Sequence, residues 1–259
     1  MTYHGGSHNN ANCFYACGVV FQLTPPVLTN GAWAESVIYN FPDLIGAFPT
    51  DMTLALDRAG NLYGTTQYLG RFGIGTIFRL VAPQVQGTPW KEQTLYSFTG
   101  GVDQFYPMSG VILDGVGNLY GTTNGSQTAN GVVYQLAPPR SGGSWTFNLM
   151  HTFAGGPADG AHSQTPLISD GKGGFYGTTL AGGSSSLPYC SQIGGCGVAF
   201  EVTPAGGGNW NEIVLHSFGA ASNDGQRPEA ALSRQGNLVW GTASQGGDNG
   251  DGVAFAIRP

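Results

Sequence analysis

Four aspartates recur at matching places along the chain: Asp43, Asp103, Asp159 and Asp224, each in a connection rich in glycine or small residues. Carboxylates gathered around one axis are the usual partners of calcium, which takes several oxygen ligands. The same residues have a plainer reading as turn supports, as in Asp159-Gly160 and Asp224-Gly225. His162 follows Asp159 closely in sequence, and an imidazole there can act as a general base or a metal ligand. This set suggests metal-assisted hydrolysis of a lactone or ester. An ion held by Asp43, Asp103, Asp159 and Asp224 would polarise the carbonyl, and Asp159 or His162 would activate water. Calcium is the expected ion, with zinc the less favoured one. Asp57, Asp114 and Asp170 also recur, but a hairpin turn accounts for them. No Gly-x-Ser-x-Gly elbow, His-Glu-x-x-His helix or P-loop is present. Glu92 and Glu201 fall within strand-like runs, which argues against a paired-glutamate glycosidase.

The elements that must position these residues are repeats. Four kinds of short run recur in fixed order. Type A is Leu54-Ala55-Leu56-Asp57 and its copies at Val111 and Leu167. Type B is Gly60-Asn61-Leu62-Tyr63-Gly64-Thr65-Thr66, with copies from Gly117, Gly173 and Gly236. Type C is Gly18-Val19-Val20-Phe21-Gln22-Leu23, with copies from Gly75, Gly131, Gly197 and Gly252 spaced roughly 55–66 residues apart. Type D runs from a tryptophan to a phenylalanine: Trp33 to Phe41, Trp90 to Phe98, Trp145 to Phe153 and Trp210 to Phe218. These β-branched and aromatic runs, bounded by Gly, Pro, Asn and Asp, predict four antiparallel strands per unit. Repetition of such a unit predicts a β-propeller, an all-β fold of four-stranded antiparallel blades. Five type C runs give five blades in one domain, over roughly 1–48, 49–106, 107–162, 163–227 and 228–259. The first blade lacks a full A strand and the last lacks D, which leaves open edges suited to self-association.

The order Gly-Asn-Leu-Tyr-Gly-Thr-Thr, Gly-Val-Val-Phe, Leu-Tyr-Ser-Phe resembles the bacterial GloVer tandem-repeat family over essentially the whole chain. Gly174-Phe175 and Val239-Trp240 are mild departures from the pattern. The resemblance implies a secreted or surface-anchored repeat protein and implies no reaction.

In a propeller, the B-to-C loops and the D-to-A connections open on one face. The B-to-C loops are the long ones here (4–17, 67–74, 124–130, 180–196 and 244–251), and the recurring aspartates lie in the D-to-A connections. Binding is expected on that face. Both cysteine pairs, Cys13/Cys17 and Cys190/Cys196, also fall there. Two local disulfides suit a secreted protein, and the spacing is not that of a usual zinc knuckle. The chain opens without a signal sequence. Nine Lys+Arg in a chain of net charge −6 cannot build a nucleic-acid face, and no apolar run is long enough to span a membrane. His151 and His216 align with Tyr39 and Tyr96 on type D runs and read as packing residues. The alternative to the hydrolase is a non-catalytic extracellular module that binds a carbohydrate or surface. Tyr68, Phe72, Phe105, Tyr106 and Tyr189 would supply its stacking rings.

Overall fold

Each repeat places its β-branched and aromatic residues on short strands and its glycines and aspartates on the turns between them. The computed structural model describes residues 1–2, 4–6, 17–27, 30–42, 47–50, 53–85, 87–185, 187–192 and 194–259. In the third repeat, strands A to D are Ile112–Leu113, Leu119–Thr122, Val132–Ala137 and Thr146–Thr152, side by side in that order. The fourth repeat has the same order, with Ile168–Ser169, Phe175–Thr178, Val198–Gly206 and Asn209–Ser217. The second uses Ala55–Leu56, Leu62–Tyr68, Thr76–Val81 and Lys91–Ser97, and its B strand also pairs with Ala47–Pro49. Strands Ser233–Gln235, Leu238–Ala243 and Val253–Ile257 form the fifth sheet, and Val19–Thr24 with Ala34–Asn40 form the first. Thr2 bridges Val19 in the way that Thr66 meets Thr76 one repeat later. The chain is therefore all-β, built from several small antiparallel sheets. Among the described residues, no helix is long and apolar enough to cross a membrane.

The A-to-B hairpins explain one set of aspartates. The Asp114 carboxylate accepts hydrogen bonds from the backbone N–H of Val116 and Asn118, the Asn118 side chain and the Tyr120 hydroxyl. Asp57 makes the same four bonds with Ala59, Asn61 and Tyr63. Burial alone would raise both carboxyls, but these donors hold them below the ordinary value.

Neighbouring repeats meet through an aromatic seam. The phenylalanine ending strand D lies edge-on against the aromatic of the next strand C. The pairs are Phe41–Phe78 at 5.0 Å, Phe98–Tyr134 at 5.6 Å, Phe153–Phe200 at 5.2 Å and Phe218–Phe255 at 4.8 Å. Phe78, Phe98, Tyr134, Phe200 and Phe218 are fully buried. Each such burial stabilises by about 1.5–3 kcal/mol, and each edge-to-face pair adds roughly 0.5–1.5 kcal/mol. The strand C ring also covers the glycine of the Gly-Thr motif in its own B strand. A Cβ at Gly64 would lie 2.7 Å from Phe78, and one at Gly121 would lie 2.5 Å from the Tyr134 hydroxyl. Gly177 and Gly241 are closer still to Phe200 and Phe255. The threonine that follows does a second job. Thr65 donates to the Ser109 carbonyl at 2.7 Å, Ser163 donates to Thr122 at 3.0 Å, and Thr178 donates to the Pro228 carbonyl at 3.4 Å. One seam thus has an aromatic side and a buried, hydrogen-bonded polar side.

Every C–D pair carries a β-bulge at one place, between Val20/Phe21, Ile77/Phe78, Val133/Tyr134 and Ala199/Phe200. Ile38, Leu95, Met150 and Leu215 are the extra residues. The bulge turns the following Tyr or His, and the Phe two residues on, toward the same side. These two rings touch in all four repeats, from Tyr39–Phe41 at 5.1 Å to His216–Phe218 at 4.8 Å.

Gly177→Ala tests the seam. A methyl group there meets both Phe200 and Leu167, and overpacking of this kind costs about 1–3 kcal/mol. A fall in melting temperature of roughly 2–10 °C is expected by calorimetry. An unchanged transition would mean that the ring does not need the glycine.

Candidate functional site

The D-to-A connections carry two recurring residues with different jobs. The first is the aspartate. Asp103 accepts from the Tyr96 hydroxyl at 2.8 Å, from Thr99 N–H at 2.7 Å and Thr99 Oγ1 at 2.8 Å, and from Gly101 N–H at 3.1 Å. Asp159 accepts from His151 Nε2 at 3.1 Å, Ala154 N–H at 2.7 Å and Gly160 N–H at 2.6 Å. Asp224 accepts from His216 Nε2 at 3.1 Å, Ala220 N–H at 3.1 Å and Gly225 N–H at 2.8 Å. Each aspartate locks the loop onto the ring that the bulge has turned out of strand D. Burial alone would raise the Asp159 carboxyl, yet the His151 bond and the two backbone donors hold it below the ordinary range. Among the described residues, Asp103, Asp159 and Asp224 do not gather into one ligand set; the only close group of three metal-ligating side chains is His151, Asp159 and Glu212. Asp43 lies outside the described residues.

The second recurring residue sits just before strand A. Phe48, Tyr106, His162 and Arg227 occupy equivalent positions, and all four have positive φ, at 58°, 58°, 60° and 56°. Bulky residues rarely adopt this region, at a cost of order 1–3 kcal/mol each. At Tyr106, His162 and Arg227, hydrogen bonds on both sides impose it. Tyr106 N–H reaches Ile74 O at 3.3 Å, and its carbonyl accepts from Asn124 N–H at 2.9 Å. His162 bridges Asn130 O at 2.8 Å and Leu180 N–H at 3.2 Å. Arg227 bridges Cys196 O at 2.9 Å and Ser244 N–H at 3.1 Å, and Phe48 N–H reaches Cys17 O at 3.0 Å. Tyr106, His162 and Arg227 each rivet the end of one repeat's B-to-C loop to the first residue of the next repeat's B-to-C loop. Glycine would serve as a rivet without strain. Side chains of Phe, Tyr, His and Arg at four equivalent strained positions therefore point to use of the side chains themselves.

On the N-terminal half these side chains extend into an aromatic row across repeats. His4 meets Phe48 at 5.6 Å, Phe48 meets Tyr68 at 5.9 Å, Tyr68 meets Tyr106 at 5.3 Å, and Phe105 lies beside Tyr106 at 5.9 Å. Phe48, Tyr68, Phe105 and Tyr106 are half-buried, while Phe72 on the adjoining loop is 50% exposed, with Arg71 over its ring. On the other half, His162 Nδ1 lies 2.9 Å from the Asn124 carbonyl. That bond needs the proton on Nδ1 and leaves Nε2 as the acceptor of the neutral ring. Tyr189 stands apart on the helix Pro188–Gln192 in the fourth B-to-C loop and is 45% exposed. The loop is closed by a Cys190–Cys196 disulfide with a Cα–Cα distance of 4.9 Å. Cys17 is also disulfide-bonded, and Cys13 lies outside the described residues.

Sequence reasoning singled out His162 and Tyr106 but passed over Phe48 and Arg227. Their shared signal is the place three residues after the aspartate in three of the four connections. The pairing of each aspartate with the strand D Tyr or His was also missed. That pairing is legible in the near-constant spacing of Tyr96–Asp103, His151–Asp159 and His216–Asp224.

The family model described as the Gloeobacter/Verrucomicrobia repeat matches residues 1–255. No curated protein matches the chain. Among solved structures, the chain is similar to a protein of unknown function from Dyadobacter fermentans DSM 18053, at 13% identity and a TM-score of 0.49. The match covers 88% of this chain and 65% of that one, so the chain spans about two thirds of that protein's length.

Replacing His162 by Gly and by Val separates strain from side-chain loss, because both variants delete the ring. His162→Gly is expected to be more stable than His162→Val by about 1–3 kcal/mol in urea unfolding, since only valine must be forced to positive φ. Equal stabilities would mean that the backbone there is not strained.

Proposed function

The chain belongs to the Gloeobacter/Verrucomicrobia repeat family, and from that premise we propose that its five repeats form one β-propeller that works outside the cytoplasm as a non-catalytic carbohydrate-binding module. In such a ring the short A strands lie innermost. Phe48, Tyr106, His162 and Arg227, which lie six or seven residues before the A strands, then surround the mouth of the axis. The observation that carries the reading is their repeated positive φ with a bulky side chain at every copy. Strain of this kind persists at ligand clamps, where the side chain must be presented in one direction. The row His4, Phe48, Tyr68 and Tyr106 offers stacking rings, those of His4, Tyr68 and Tyr106 with polar edges, as sugar faces require. His162 continues it with a ring-nitrogen acceptor and Arg227 with guanidinium donors. The disulfide-closed loop above them suits an oxidising compartment.

The calcium-dependent hydrolase draws less support. Its expected ligands Asp103, Asp159 and Asp224 each hold the loop and a strand D ring in place. His162 directs one ring nitrogen at a backbone carbonyl rather than at an acidic partner.

Isothermal titration against soluble glucans, xyloglucan, chitin oligosaccharides and peptidoglycan fragments tests the proposal. At least one class is expected to bind. Tyr106→Ala and Tyr68→Ala are each expected to weaken it about tenfold, or ~1.4 kcal/mol, with Tyr189→Ala unchanged. Failure to bind every class, or equal affinities for all three variants, would overturn the reading.

A further inference from the structure

The seam between the third and fourth repeats differs from the seams before it. One position on strand D, four residues before the Tyr or His, faces the corresponding ring of the preceding repeat. At the first seam Glu92 lies near Tyr39, whose hydroxyl is pushed up to about 12 by burial and then by the Glu92 charge. At the second, Phe147 stacks on Tyr96 at 5.2 Å and 22°. At the third, a carboxylate meets an imidazole: Glu212 faces His151, which already holds Asp159 at 3.1 Å. Only here, among the described residues, do three metal-ligating side chains converge, with one ligand atom from each lying within 4.8 Å of the others.

Two features distinguish this group from an ordinary ion pair. Glu212 Oε1 is sealed from solvent and has no hydrogen-bond partner. A buried carboxylate oxygen without a donor is costly and calls for an explanation, an absent ion being one. His151 and Asp159 are not sealed: their side chains are 22% and 11% exposed, which leaves an entry path. The His151 Nε2–Asp159 Oδ2 separation of 3.1 Å matches two ligands on one small cation with bonds of about 2.0–2.2 Å. The Asp159 carboxylate is already fixed by the Ala154 and Gly160 N–H groups, a preorganised outer shell of the kind that orients metal ligands.

We propose that His151 Nε2, Asp159 Oδ2 and the Glu212 carboxylate bind a single divalent transition-metal ion, zinc by preference, at the seam of the third and fourth repeats. One imidazole and two carboxylates make a three-ligand zinc set, with water completing the tetrahedron. The nitrogen ligand and the small number of oxygens disfavour calcium, which wants six or more oxygens. The ion would tie strand D of the third repeat, its outgoing loop and strand D of the fourth together. Its ligands are distinct from the rim residues Phe48, Tyr106, His162 and Arg227.

Chelator-stripped full-length protein titrated with zinc chloride, and with calcium chloride as the comparison, reads the site. One zinc per chain and little calcium are expected, with a rise in melting temperature on zinc addition. Cobalt(II) should give the visible absorption of a four-coordinate site. Glu212→Gln and His151→Tyr are each expected to lower zinc affinity about tenfold or more. His151→Tyr installs the residue that stands at the equivalent positions 39 and 96, so its fold is preserved. His216→Tyr, altering the pair that has no third ligand among the described residues, should bind zinc as the unaltered protein does. Absence of zinc binding, zinc binding unchanged in Glu212→Gln and His151→Tyr, or equal loss in His216→Tyr would each overturn the proposal.

Discussion

One steric constraint underlies the molecule: the strand C aromatic ring must lie over a residue that has no side chain. Gly64, Gly121, Gly177 and Gly241 provide that floor, and Phe41, Phe98, Phe153 and Phe218 of the preceding repeats press on the same rings from the neighbouring sheet. The glycine is thus required by packing within one repeat, and the ring it admits is what joins two repeats. Hydrogen bonds from Thr65, Ser163 and Thr178 register the polar side of the same seams. With the seam fixed on both sides, the bulged end of strand D can aim a Tyr or His at the following loop. The aspartate of that loop captures it, and the connection is left rigid enough to hold a strained residue before strand A.

The repeated scaffold and its varied side chains have separate roles. The φ angle is nearly identical at Phe48, Tyr106, His162 and Arg227, but the groups displayed are an apolar ring, a phenol, an imidazole and a guanidinium. The seam position occupied by Glu92, Phe147 and Glu212 varies in the same way. Symmetry provides the geometry at each site, and local substitution sets the chemistry. The proposed ligand rim and the proposed ion site therefore use different side chains on one scaffold.

The strands and their order within a repeat were legible in the sequence, because turn glycines and the alternation within Thr94–Phe98 are local signals. So was the Cys190–Cys196 bond, since close spacing makes the pairing local. Three things were not legible. A residue before proline reads as extended, which hid the positive φ of Phe48, Tyr106 and Arg227; at Tyr106 and Arg227 paired backbone bonds to two different repeats impose it. His151 and His216 read as packing because they align with tyrosines; the structure adds that they donate to Asp159 and Asp224. Glu212 carried no signal at all, because its partners belong to the preceding repeat and meet it only through the seam. The four aspartates looked like a shared cation site because their recurrence suggests convergence. Those described are each held by donors of their own loop.

The rim before the A strands is the surface proposed to meet a ligand. Nitrogen-15 and aromatic carbon-13 NMR of the labelled protein, titrated with an oligosaccharide that it binds, tests this most directly. Shift changes should concentrate at Phe48, Tyr68, Tyr106, His162 and Arg227, and leave the hairpins at Asp57, Asp114 and Asp170 unmoved. Changes centred on those hairpins or on the outer D strands, with the rim silent at saturation, would contradict it.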